Sequence, residues 1–259
     1  MTIVLPHSIA RAAGAAPAEA FADCPTLPRN GEIFLWLLDL PSLPLTPMLQ
    51  FVTDAERGAD ERRLYRSDFE PWLKSRAALR CILSAFTGQA ARRIAIAAGE
   101  GGKPELADNP DGLHFNASRS KDFALIALGR APLGVDIEAV RPEFSWRTIA
   151  MHWFHPREQA LLASAPEARR SEIFFQIWTH KEAYCKGVGT GLDREAMIGS
   201  FTGPESRSVR GAKGSQATQW RLKALAAPRG YKASLASANV PPIVVDRTAS
   251  FAEASRLQS

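Results

Sequence analysis

Two short stretches of this chain place acids and a base where chemistry could be done. In "GVDIE", Gly134 to Glu138, the two-residue period of an extended chain sends Val135 and Ile137 to one face and Asp136 and Glu138 to the other. Carboxylates sharing a face repel, and burial would raise the proton affinity of both unless a cation compensated. In "WTHKEAYCKGVGTGL", Trp178 to Leu192, helical spacing aligns Trp178, Glu182 and Lys186, with Phe175 one turn upstream, just before three closely spaced glycines. Each stretch also has a plain structural reading. The first could be a wet or arginine-faced strand, and the second a solvated i, i+4 ion pair worth only about 0.3–0.5 kcal/mol. Taken together, they offer three carboxylates and neither histidine nor cysteine, a set that suits Mg²⁺ or Mn²⁺ rather than zinc. Magnesium usually completes its shell with water and substrate phosphates, and a lysine one turn from a metal-binding glutamate can hold such a phosphate.

Two further stretches carry positive charge among small residues, "GEGGKPEL" around Lys103 and "HFNASRS" around Arg119. Either is an ordinary turn or a place where a phosphate approaches the backbone. Nothing requires His152, His155 or His180 as ligands, and Cys185, next to Tyr184, reads as packing.

These side chains need elements to hold them. "GEIFLWLLDL", Gly31 to Leu40, is an apolar run of strand length closed by proline-rich "PSLPLTP", and reads as a buried first strand. Trp72, Leu73, Ala77, Leu79, Leu83 and Phe86 approximate a helical stripe ended by Gly88, which predicts a first long helix. Strands are predicted at Arg93–Ala98, Phe123–Gly129 and Leu133–Val140, and helices at Trp146–His152, Pro156–Ala165 and Glu167–Lys186. After a glycine- and serine-rich loop, Gly203–Ser215, "QWRLKALAA" and "YKASLASA" alternate well enough for two more strands. A long helix followed by strands in each half predicts an α+β chain with an N-terminal lobe at 31–130 and a C-terminal lobe at 131–259.

Composition sets the outer bounds. With 46% hydrophobic and 23% charged residues among 259, a packed globular protein is expected rather than a disordered one. The net charge of +5 favours acidic partners without selecting one. Cys24, Cys81 and Cys185 are odd in number and far apart, which argues against a disulfide framework or a zinc site and fits a reducing cytoplasm. Residues 1–30 read as a flexible extension rather than a signal peptide, since Pro6 and His7 break the apolar run and no basic segment precedes it. No segment has the length of a membrane span.

The order and spacing of "RRLYRSDF…LKSRAALR", "GKPEL", "HFNASRS", "LGVDIE", "WFHPREQALL" and "WTHKEAYCKGVGTGL" resemble the successive motifs of the 4′-phosphopantetheinyl transferases of the surfactin-synthetase-activating type. The resemblance runs from about Asp54 to Leu192. It implies an α+β fold of two similar lobes in pseudo-twofold arrangement, each a small sheet packed with a long helix, with coenzyme A and Mg²⁺ (or Mn²⁺) in the cleft between them. It makes Asp136, Glu138 and Glu182 the metal-binding carboxylates and sets Lys186 at the coenzyme A phosphates. It puts Lys103, Arg62, Arg63, Ser118 and Arg119 on the cofactor side, Arg119 standing where the family usually has a histidine that meets the 3′-phosphate. Arginine is permanently charged and binds anions in two-pronged fashion, so a changed pH dependence is expected rather than lost binding. Lys181 either orders the phosphates or is a solvated helix lysine.

The activity so implied is transfer of the 4′-phosphopantetheine arm to a serine of an acyl or peptidyl carrier protein, releasing adenosine 3′,5′-bisphosphate. Glu182 would take the serine proton, directly or through a water, and Lys186 would stabilise the leaving phosphate. Carrier domains of the kind implied are acidic, and Arg141, Arg147, Arg157, Arg169 and Arg170 are candidates to meet one. A cytoplasmic monomer that binds neither nucleic acid nor membrane is expected. The competing readings are another Mg²⁺-dependent phosphate-processing enzyme and a basic nucleic-acid-binding module; the second leaves the acidic strand without a use.

Overall fold

The computed structural model describes residues 26–58, 66–191, 199–201, 209–210, 219–238 and 242–247. Most of the expected N-terminal extension lies outside these residues, as do Arg62 and Arg63.

The first half of the chain runs β1 (Glu32–Asp39), the single-turn helices α1 (Leu45–Met48) and α2 (Asp54–Arg57), the long helix α3 (Arg66–Thr87), the small hairpin β2 (Ile96–Ala98) and β3 (Pro104–Leu106), then β4 (His114–Ser120) and β5 (Phe123–Gly129). The second half runs β6 (Leu133–Ala139), α4 (Arg147–Trp153), α5 (Pro156–Ser164), α6 (Glu167–Val188), β7 (Val209–Arg210), β8 (Gln219–Leu225), β9 (Tyr231–Ala238) and β10 (Ile243–Asp246). The fold is α+β. Its two four-stranded sheets have the orders β10-β1-β5-β4 and β6-β9-β8-β7. In each, a first strand leads through a 22-residue helix to a hairpin whose second strand pairs antiparallel with the first.

The sheets lie face to face between their helices. Phe34, Trp36, Leu38, Ala124, Ile126 and Leu128 turn to one side and bury against Leu73, Ala77, Ile82, Leu83 and Phe86 of α3. The alternate residues Ile33, Leu35, Leu125 and Ala127 turn to the other side and pack on Leu133, Val135, Ile137, Ala233 and Leu235 of the second sheet. Covering on both faces is why β1 reads as an unbroken apolar run. On the far side of the second sheet, Ala183 and Tyr184 of α6 meet Trp220, Leu222 and Ala236.

The structure departs from the sequence reading in four places. The strand expected at Arg93–Ala98 is only three residues long, preceded by a 3-10 turn at Ala91–Arg93. "HFNASRS", read as a turn, is the strand β4. The expected loop Gly203–Ser215 contains the short strand β7, the rest of it lying outside the described residues. Finally, Ile243–Asp246 returns to pair in parallel with β1, so the 130/131 boundary separates the two sheets everywhere except at β10. Among the described residues no helix is long and apolar enough to cross a membrane.

Candidate active site

The site is built where α6 crosses β6. A Cβ on Gly134 would lie 2.1 Å from the carbonyl oxygen of Ala183, so only glycine allows the helix to come this close. The helix then ends at Gly189, whose φ of 88° is the left-handed conformation that closes many helices. Across this close approach Lys186 Nζ stands 2.6 Å from Asp136 Oδ1, an ion pair whose acid is nearly inaccessible. Ser118 Oγ donates to the same oxygen at 2.7 Å and accepts from Lys186 Nζ at 3.0 Å. Asp136 Oδ2 is buried and has no hydrogen-bond partner among the described residues.

The acidic strand is held from its other edge by side chains. β4 and β6 are neighbouring edges of two different sheets and share no backbone ladder. Instead Asn116 Oδ1 accepts the N–H of Val135 at 2.9 Å, Ser118 Oγ that of Ile137 at 3.4 Å, and Ser120 Oγ that of Ala139 at 3.1 Å. Ser120 Oγ also donates to Glu138 Oε2 at 2.8 Å. An edge strand with unpaired N–H groups is costly to bury, and this row of alternating polar residues satisfies it.

The electrostatics are lopsided. Burial pushes the Asp136 carboxyl up, against the opposing pull of Lys186 and Ser118. Glu138 is raised by burial and then by Asp136. Glu182, half-buried, is raised to about 7, by burial first and by Asp136 and Glu138 after it, with Lys186 opposing. Lys186 itself is raised, because its three acidic neighbours outweigh the cost of burying it. Three acids face Lys186, with Arg141 adding a further pull on Glu138 alone, and they remain raised, so another cation would relieve them. Among the described residues no three histidine, cysteine, aspartate or glutamate side chains lie close enough to form a metal shell as they stand. The hard oxygen donors and the orphaned Oδ2 of Asp136 fit a divalent cation of the magnesium class, while Lys186 takes the other oxygen of that acid.

A sequence model of the 4′-phosphopantetheinyl transferase superfamily matches residues 132–236. The 4′-phosphopantetheinyl transferase HetI of Nostoc sp. is 33% identical over 168 residues, which is 63% of this chain and 71% of that protein. The chain belongs to the 4′-phosphopantetheinyl transferase superfamily. Two other relatives are 4′-phosphopantetheinyl transferase psf-1 of Bacillus pumilus, 32% identical over 59% of this chain and 63% of its own length, and AcpT of Escherichia coli O157:H7, 37% identical over 46% and 58%. The chain thus spans under two thirds of both. The matched segment of the transferase holds Asp136, Glu138, Glu182 and Lys186, while Lys103, Ser118 and Arg119 precede it.

The remaining expected residues of the transferase are scattered differently than the sequence suggested. Lys103 Nζ donates to the carbonyls of Gly187 at 2.7 Å and Leu133 at 3.0 Å, tying the β2–β3 loop to the end of α6, and burial pushes its pKa down to about 8 with Glu105 opposing. Arg119 is half-buried and, by the two-residue period of β4, faces away from Ser118 and Ser120. Lys181 is not brought to the carboxylates. It is fully buried on another side of α6, 2.9 Å from the equally buried Glu158 and bonded to the Gly199 carbonyl, so it is neither solvated nor aimed at the cleft. Glu158 also accepts the N–H groups of His155 and Phe201. His155 Nδ1 accepts from Arg157 as a cap of α5, and Cys185 is buried as expected. Sequence reasoning missed Asn116 and Ser120. Their signal was the alternation of Asn116, Ser118 and Ser120, which marks one polar face of a strand.

Proposed function

We propose that this transferase moves the 4′-phosphopantetheine arm of coenzyme A onto a serine of an acyl or peptidyl carrier protein, with Mg²⁺ or Mn²⁺, and releases adenosine 3′,5′-bisphosphate. The observation that carries the reading is the group of Asp136, Glu138, Glu182 and Lys186 at the α6–β6 crossing, acids in excess with one buried oxygen left unpartnered. Asp136, Glu138 and Glu182 would hold the metal, whose contribution when bound is Lewis-acid polarisation of the pyrophosphate. Lys186 stays cationic because its acidic neighbours raise its proton affinity, and its charge sits where the departing phosphate gains negative charge. Glu182 accepts the proton of the attacking serine, directly or through a water. The serine oxygen forms the new bond to phosphorus as the bond to the bridging pyrophosphate oxygen breaks.

Lys103 has three N–H groups and two carbonyl acceptors, which leaves one donor for the nucleotide end of coenzyme A. Arg119, Arg62 and Arg63 serve the nucleotide and its 3′-phosphate, and Ser118, on the opposite face of β4 from Arg119, serves the coenzyme A side beside Lys186. Lys181, paired with Glu158, supports the helix rather than the ligand. For the carrier, Arg147 and Arg157 supply exposed positive charge, whereas Arg141 already lies over the rings of Phe144 and Phe175.

The test is intact-mass spectrometry of apo carrier proteins incubated with the enzyme, coenzyme A and Mg²⁺. The expected result is a gain of one phosphopantetheine that is lost on chelation of metal and in Glu182→Ala. Hydrolysis of coenzyme A or of nucleic acid without any carrier modification would overturn the reading in favour of another phosphate chemistry.

A further inference from the structure

The seam between the two sheets is bridged by side chains at the place where the acidic strand needs fixing. Backbone hydrogen bonds hold β6 on its β9 edge, in the register Val135 to Leu235 and Ile137 to Ala233. On the other edge, the N–H groups of Val135, Ile137 and Ala139 meet side chains rather than a backbone ladder, those of Asn116, Ser118 and Ser120. We propose that Ser120 is a positioning residue for the Glu138 carboxylate, anchoring it to the β4–β6 seam so that it is ready for the divalent metal. This inference rests on the metal-dependent transfer proposed above.

The hydroxyl is suited to this because it can accept and donate at once. Ser120 Oγ accepts from the N–H of Ala139 at 3.1 Å and donates to Glu138 Oε2 at 2.8 Å. The acceptor bond fixes the oxygen relative to the strand, and the donor bond then fixes the carboxylate relative to the oxygen. A glutamate on an edge strand has three side-chain torsions to order, and one oxygen held in advance removes part of that cost before a metal arrives. Alanine at position 120 offers neither bond, and cysteine offers two weak ones. Threonine keeps both.

Ser118 stands in the same relation to Asp136. It also contacts Lys186, so a change there would mix positioning with loss of the lysine's partner. Ser120 isolates the effect, since its only hydrogen bonds among the described residues are those to Glu138 and Ala139. Partners of metal-binding carboxylates typically matter by a factor of 10 to 100 in metal affinity.

The experiment compares wild type, Ser120→Ala, Ser120→Thr and Ser120→Cys in the full chain with coenzyme A present and no carrier. Free Mn²⁺ is followed by its electron paramagnetic resonance signal, and folding by thermal melting. The expected result is Mn²⁺ binding by wild type, weakening by about tenfold in Ser120→Ala, recovery to within about threefold in Ser120→Thr, and an intermediate value in Ser120→Cys. In turnover, Ser120→Ala should need about tenfold more Mg²⁺ for half-saturation, while kcat at saturating Mg²⁺ and KM for coenzyme A stay near wild type. Wild-type Mn²⁺ affinity in a folded Ser120→Ala overturns the proposal. So does equal weakening in Ser120→Ala and Ser120→Thr, which would make position 120 a matter of packing. If Ser120→Ala does not fold, Ser120→Cys carries the decision by the same criterion. If wild type takes up no Mn²⁺, the metal reading of the whole site fails and takes this inference with it, a result distinct from an effect confined to the variants.

Discussion

Each half of this transferase pairs a 22-residue helix with a buried carboxylate, and the two halves treat that carboxylate in opposite ways. In the first, Glu56 beside α3 has both oxygens filled. Oε1 accepts from Arg76 at 2.8 and 3.1 Å, and Oε2 accepts from Arg80 at 2.6 Å and from the Thr53 N–H at 3.0 Å. Burial alone would raise Glu56, but Arg80, Thr53 and Arg76 together hold it below its ordinary value. Arg80 Nη1 also donates to the carbonyls of Ala91 and Ile94. In the second half, Asp136 beside α6 has one lysine, one serine and an oxygen with no partner, and it is raised. A completed shell makes a brace, whereas an incomplete one makes a receptor for something else. The helices are of equal length, but Asp136 is the more deeply buried acid and has fewer partners, so deeper burial with fewer satisfied lone pairs is what separates the receptor from the brace.

The comparison is broken most severely by exchanging the two behaviours. Glu182→Ala should lower carrier modification by a hundredfold or more, measured by intact mass, without lowering the melting temperature, because an acid already destabilised by its neighbours is removed. Glu56→Gln should do the reverse. Stability should fall by about 3 kcal/mol in urea denaturation, since buried Arg80 loses its counter-charge, and turnover per folded molecule should hold.

Two smaller effects sharpen the contrast. Glu56 sits below the ordinary glutamate value of 4.5 in the folded chain, so its stabilisation is complete above that value and is lost as pH falls through the lower folded one. Acid denaturation below pH 4.5 should therefore be shallower in Glu56→Gln than in wild type when stability is followed against pH. Arg119→His is expected to act least. It should leave KM for coenzyme A near wild type below about pH 6 and raise it several-fold relative to wild type above about pH 7, as an imidazole near 6.5 loses its charge. A ratio of variant to wild-type KM that does not change with pH would remove Arg119 from the 3′-phosphate.

Much of the receptor half was legible because its chemistry is local. Asp136 and Glu138 share a face by strand period, and Glu182 and Lys186 share one by helix period. The two pairs meet because of Gly134, whose role depends on a crossing between distant segments that no local pattern records. β4 was misread for a related reason. Its polar face is turned to another strand rather than to water, so Asn116, Ser118 and Ser120 look like turn residues while standing in for a backbone ladder. Lys181 was ambiguous because α6 is buried on several sides at once, with Phe174, Thr179 and Tyr184 all inaccessible, and helical position alone does not say which side meets which neighbour. The brace around Glu56 joins it to Arg76 and Arg80, twenty or more positions away, and although Thr53-x-x-Glu56 has the spacing of a helix cap and both arginines lie in "LKSRAALR", no local pattern brings the two stretches together.

The return of β10 to β1 sets a timetable for the newborn chain. Glu32 to Leu35 take Ile243 to Asp246 as their neighbours, so one border of the first sheet stays open while about two hundred further residues are translated. At roughly 5–20 residues per second that is about 10–40 s on the ribosome. During that interval an apolar strand with unpaired amides is offered to any other extended segment nearby, until β10 emerges to pair with it.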